Sequence, residues 1–93
     1  GTASIDRNGK IVAEGDIRKQ TERTFVNIDA LLKEAGAGFE DIAQMIVYIR
    51  DTADYEQVRD YVEIHFPDTP KVITWAPVCR PGWLVEVECI AYR

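Results

Sequence analysis

The sequence predicts an α+β domain in which two amphipathic helices pack on one face of a mixed β-sheet. Three observations carry that class. Apolar residues recur at spacings of three and four across two stretches, a nearly all-apolar run lies between them, and a strictly alternating run closes the chain. Gly, Pro and Asn punctuate the intervening segments, giving the order β-β-α-β-α-β-β.

Asn8-Gly9 separates two short β-prone stretches, residues 2–5 and 10–13, and that dipeptide is the strongest two-residue hairpin signal. Asp16 is placed to cap a helix in which Ile17, Thr21, Phe25, Ile28, Leu32 and Ala35 form one face, and Gly36 supplies a left-handed stop. Residues 42–49, Ile-Ala-Gln-Met-Ile-Val-Tyr-Ile, read as a central strand covered on both sides. Asp51 or Thr52 caps a second helix with Tyr55, Val58, Val62 and His65 or Phe66 on one face, and Pro67 ends it. Val72-Ile73-Thr74-Trp75 forms the next strand. After Arg80-Pro81-Gly82, the last strand sets Trp83, Val85, Val87, Cys89 and Ala91 on one face and Leu84, Glu86, Glu88 and Ile90 on the other.

Ninety-three residues make one domain, small enough that packing against copies of itself would add buried surface. A hydrophobic share of 46% supports a core, and no apolar run reaches the roughly 20 residues that a bilayer span needs. A net charge of -5 opposes a broad phosphate-binding surface, so nucleic acid is not an expected partner. The two cysteines, Cys79 and Cys89, lack CxxC spacing and read as buried thiols of a protein in the reducing cytoplasm. The chain opens at Gly1 without an initiator Met, which marks a processed, engineered or fragment terminus.

Several chemistries find no footing. The single histidine, His65, has no clustered ligands or nucleophile beside it in sequence and reads as packed or capping, so neither metal nor cofactor is expected. Gly36-Ala37-Gly38 is a helix stop, since a phosphate loop requires GxxxxGK[ST] or a strand-GxGxxG-helix arrangement. Trp75, Trp83 and Tyr92 read as core or interface aromatics.

Four ordered blocks carry a resemblance. They are Gly15-Asp16-Ile17-Arg18-Lys19-Gln20-Thr21, NIDALLKEAG over 27–36, MIVYIRDTADY over 45–55 and LVEVECIA over 84–91. Together they resemble the RidA/YjgF family of enamine/imine deaminases, also described as endoribonuclease L-PSP proteins. The resemblance implies a chorismate-mutase-like fold and a homotrimer whose sheets line a central barrel, with small-molecule pockets at the subunit interfaces. It also implies hydrolysis of 2-aminoacrylate-type intermediates to 2-keto acids and ammonia; a silent ligand-binding trimer and a ribonuclease are the competing functions. The Gly1-Thr2-Ala3-Ser4 opening and the Cys79-Arg80-Pro81-Gly82-Trp83 string are closer to arginine-lacking Rid branches and to the C-terminal half of chorismatases. Family members normally carry a further first strand, so residues 1–93 are expected to be one RidA/YjgF-like domain truncated at its N-terminus, or the terminal part of a longer protein.

The site follows from the same resemblance. Glu86 matches the carboxylate held near the attacking water; its other reading is a solvated strand face shared with Glu88. The family's substrate-carboxylate arginine falls on Val72, flanked by Lys71, and a branched hydrocarbon cannot replace a guanidinium. Arg59 matches a helix-two asparagine and is either a relocated cation or a surface charge. Arg80, just before the glutamate's strand, would reach a substrate carboxylate or Glu86 itself, or form a structural ion pair with a carboxylate. Thr74 and Cys79 would offer hydrogen bonds near the pocket, or serve as a sheet residue and a buried thiol. Gly1 matches a glycine whose backbone approaches ligand.

Overall fold

The computed structural model describes residues 2–76 and 82–91. Its elements run β1 (Thr2–Ala3), α1 (Ile17–Glu34), β2 (Ile42–Ile49), α2 (Tyr55–His65), β3 (Lys71–Trp75) and β4 (Val85–Ala91). The four strands form one sheet in the order β1-β4-β2-β3. β4 is antiparallel to both β1 and β2, whereas β2 and β3 are parallel. That parallel pair requires a crossover, which α2 supplies. The expected α+β layering, two helices against a mixed sheet, is therefore the observed one.

Local chemistry sets the ends of both helices. The Asp16 carboxylate accepts the Lys19 backbone N–H at 3.0 Å and caps α1. At the other end Gly36 takes φ 76°, with Ala37 N–H reaching the Leu32 carbonyl at 2.7 Å and Gly36 N–H the Lys33 carbonyl at 3.0 Å. That is a Schellman stop, and only glycine enters it without steric cost. Asp51 accepts the Ala53 N–H at 2.9 Å in the short turn that opens α2. The Lys71 ammonium donates to the carbonyls of Phe66 at 2.9 Å and Thr69 at 3.2 Å, satisfying acceptors where α2 ends.

The core lies between the helices and one face of the sheet. Met45, Val47 and Ile49 of β2 and Val85 and Val87 of β4 meet Phe25 and Ile28 of α1 and Val58 and Val62 of α2 there. The Phe25 ring packs against Phe66 at 4.8 Å and Tyr61 at 5.6 Å between centroids. Polar groups on the buried side of α1 are satisfied locally, with the Thr21 and Thr24 hydroxyls donating to the carbonyls four residues back at 2.8 and 2.7 Å.

Two expectations need correction. Asn8-Gly9 does not form a two-residue hairpin with a strand over 10–13. Asp6 governs the turn instead: its carboxylate accepts the N–H groups of Asn8 at 2.8 Å and Lys10 at 3.0 Å, and its carbonyl accepts Gly9 N–H at 3.0 Å. Gly9 alone of the pair takes positive φ, at 80°, which suits a longer turn with a glycine bulge. Pairing is then reduced to a single Ile5–Ile11 bridge, and Ala13, at φ 59°, breaks the extended run. The sheet thus has four strands where five are predicted. The second correction concerns β2, which is central but covered on one side within this chain, since Ile46 and Tyr48 remain half-exposed on the other.

Candidate functional site

Alternation along β4 decides where Glu86 points. Val85 and Val87 are 0% and 1% exposed against the helices, so Glu86 between them projects from the opposite, open face of the sheet. Glu88 and Ile90 follow on that face, with Ile90 42% exposed. Register extends the pattern across the sheet. Glu86 pairs with Ala3 on β1 and with Tyr48 on β2, and Tyr48 pairs in turn with Thr74 on β3. The next row runs Glu88, Ile46, Val72. Thr74 lies two strands from Glu86, about 10 Å across the sheet at ordinary strand spacing.

The approach to β4 is held by a side chain from the first helix. Gln20, fully buried, donates through its amide nitrogen to the Gly82 carbonyl at 2.9 Å and the Ala13 carbonyl at 3.3 Å, while its amide oxygen accepts Leu84 N–H at 2.8 Å. Arg50, just past β2, donates from Nε to the Trp83 carbonyl at 2.8 Å, and Arg50 N–H bonds the Leu84 carbonyl at 3.0 Å. The Trp83 indole N–H reaches the Ser4 carbonyl at 3.0 Å. Across α1, Asn27 donates to the carbonyls of Ala3 and Ile5, each at 2.9 Å, and so fixes the strand on the other flank of Glu86. Backbone polar groups beside the carboxylate are thereby satisfied by side chains as well as by the ladder.

The open face is acidic at its centre. Tyr48 Oη donates to Glu88 Oε2 at 3.3 Å, diagonally across from its partner Glu86. Desolvation, then the Glu88 charge and its hydrogen bond, then the Glu86 charge, raise the Tyr48 phenol above its usual value of 10.0. Neither Glu86 nor Glu88 belongs to an ion pair among the described residues. On the covered side, Cys89 is pushed up to about 11 by burial and then by the Glu88 charge, which leaves its thiol protonated and inert at neutral pH.

The remaining candidates divide. Thr74 shares the open face with Glu86, and so does Val72, which is 59% exposed. Lys71 spends its ammonium on the carbonyls at the end of α2. Arg59 lies on α2, across the sheet from Glu86, with its guanidinium over the Tyr55 ring at 5.6 Å and on the Asp60 carboxylate at 3.2 Å. Within one chain the structure does not bring Arg59 and Glu86 together. Gly1, Cys79 and Arg80 fall outside the described residues.

The family model for endoribonuclease L-PSP matches residues 1–93. The chain belongs to that family. A RutC family protein of Pyrococcus abyssi is 33% identical over 95 residues, covering all of this chain and 75% of the relative. The protein named 3-aminoacrylate deaminase RutC of Acinetobacter baylyi is 26% identical over 94 residues, 99% of this chain and 75% of its own length. The crystal structure of YyfA from Yersinia pestis, described as a protein of unknown function of the conserved Rid family, superposes with a TM-score of 0.82 at 34% identity, over 96% of this chain and 73% of that one.

For this endoribonuclease L-PSP family member, sequence reasoning placed Glu86 on the right strand face and missed its surroundings. Tyr48 is read as part of an apolar core strand, and only the β2–β4 register reveals it opposite Glu86. Gln20 belongs to a quoted block, yet its long-range contacts to residues 82 and 84 leave no trace in local periodicity. Gln20, Thr21 and Thr24 are all polar and share the buried side of α1, so only the fold distinguishes the one that reaches residues 82 and 84.

Proposed function

We propose that the chain is an imine or enamine hydrolase, working as a homotrimer in which Glu86 takes the proton of an attacking water beside a subunit boundary. The observation that carries this is Glu86 standing on the open sheet face between Ala3 and Tyr48, with no hydrogen bond or ion pair to a described residue, so its acceptor capacity is available to a water. Exposed hydrocarbon on the same face, from Val72 and Ile90, supports burial against a second copy. The name of the Acinetobacter relative, a deaminase acting on 3-aminoacrylate, supports the reaction class. The intermediate that the family resemblance adds is 2-aminoacrylate.

Chemistry proceeds in two stages. Glu86 takes one proton of water as the oxygen bonds the iminium carbon and the C=N pair moves onto nitrogen, forming a carbinolamine. The carboxylic acid returns that proton to nitrogen, the C–N bond breaks, and the hydroxyl proton leaves as the carbonyl forms. Iminium plus water thus gives a carbonyl compound plus ammonium. Tyr48 and Thr74 line the row beside the reacting carbon, and Tyr48 keeps Glu88 hydrogen-bonded.

Ammonia release from freshly generated 2-aminoacrylate and from small aliphatic imines tests the reading. Glu86→Gln is expected to lower turnover about 100-fold or more. Turnover no faster than buffer for every substrate ends the hydrolase proposal, and equal rates for the native chain and the variant move the site elsewhere. Val72 favours a second reading, a ligand-binding trimer without turnover, because its hydrocarbon offers no grip on a substrate carboxylate. A ligand that raises the melting temperature yet is returned chemically unchanged would select it.

A further inference from the structure

The face that carries Glu86 combines acid and hydrocarbon among the described residues. Glu86 and Glu88 stand two residues apart on one side of β4, about 7 Å by strand rise, and neither is ion-paired among the described residues. Beside Glu88 the row continues as hydrocarbon, through Ile46 to Val72, which is 59% exposed. The ammonium next to Val72, on Lys71, is held by two backbone carbonyls, and the Arg59 guanidinium lies across the sheet. Among the described residues, a substrate whose reacting carbon sits against Glu86 would therefore meet only acid or hydrocarbon with any carboxylate of its own. A protonated imine nitrogen would instead meet two negative groups.

We propose that this site takes imines and iminium ions that carry no carboxylate, with a small aliphatic body against Ile46 and Val72 and the nitrogen toward Glu86 and Glu88. The inference rests on the imine-hydrolase reading and narrows it: the products are aldehydes or ketones plus ammonia instead of 2-keto acids. Reactions that oxidise primary amines by two electrons supply such imines.

A matched pair of substrates tests it. Propan-1-imine, released from propylamine by a flavin amine oxidase, and 2-iminobutanoate, released from 2-aminobutanoate by an amino-acid oxidase, differ only by the carboxylate. Their hydrolysis is followed as acceleration over buffer. The native chain is expected to favour propan-1-imine by about tenfold or more, and Val72→Arg, which sets a guanidinium on this face, is expected to narrow or reverse that preference. Should the variant fail to fold, ionic strength gives an independent measure in the native chain. Added salt is expected to raise turnover of 2-iminobutanoate and not of propan-1-imine, because it screens like-charge repulsion. A native preference for 2-iminobutanoate, or an unchanged preference in folded Val72→Arg, overturns the charge inference and leaves the hydrolase reading standing. No acceleration of either substrate removes the hydrolase reading, and this inference with it.

Discussion

The two faces of β4 are built from neighbouring residues and obey different rules. On the helix side, Val85 and Val87 are almost fully removed from water within the core cluster, so shape and hydrocarbon decide what is tolerated. On the open side, Glu86, Glu88 and Tyr48 face outward, joined by the Tyr48–Glu88 hydrogen bond and released from the packing that constrains the core face. One strand therefore presents a packed apolar face on one side and an open acidic face on the other, and the two are separable by mutation. That separation follows from the period-2 geometry of a strand, which lets adjacent positions answer to different selection.

The strongest way to break this contrast is to exchange its two chemistries. Val87→Glu places an unpaired carboxylate in the core and is expected to cost about 3–5 kcal/mol or to abolish folding. Glu86→Val is expected to stay within about 0.5 kcal/mol of the native chain. Urea denaturation of both variants checks this, and comparable losses would show that the faces are not distinct. A smaller effect is expected for Gln20→Leu, which strips partners from the Gly82 and Ala13 carbonyls and Leu84 N–H: about 1–3 kcal/mol, together with faster amide exchange at Leu84.

The titrations sharpen the comparison further. Cys89 is raised in the folded chain from 9.0 to about 11, so the native state holds its proton more tightly than the unfolded state. The stability linked to it is complete below pH 9 and is lost as pH rises through about 11. Peptide mapping after iodoacetamide treatment at pH 8 is expected to find Cys89 unmodified in the native chain and alkylated in urea. The smallest effect belongs to Tyr48. Its ionisation, followed by ultraviolet absorbance, is expected above the usual 10.0, and Glu88→Gln is expected to bring it down by removing a charge and a hydrogen bond to a carboxylate. The sign is the same as for Cys89, with stability falling only as pH climbs past the ordinary phenol range.

Much of the fold was legible because its signals are local. Asp16 and Gly36 bracket α1 through caps that neighbouring residues complete, and the apolar run over 42–49 coincides with β2. The chain reversal at Asn8-Gly9 was legible but its length was not, because the Asp6 carboxylate, bonding two backbone N–H groups, lengthens the loop and leaves a single Ile5–Ile11 pair. The strand face that Glu86 occupies was legible through alternation. Its neighbours were not, since Tyr48 and Thr74 reach its row only through strand register, which long-range pairing sets. Within one chain Arg59 and Glu86 lie on opposite sides of the sheet, because a helix on one face cannot send its side chain through a packed sheet.

The Gln20 tether carries a consequence for how the open face responds to acidity. A carboxamide neither gains nor loses a proton over the range in which carboxylates and phenols do. Its grip on residues 82 and 84 is thus the same in weak acid and in weak base. Side chains downstream on β4 can change charge while the mount beneath them stays fastened, so the pH profile of whatever happens on that surface will report the reacting groups and not a loosening scaffold.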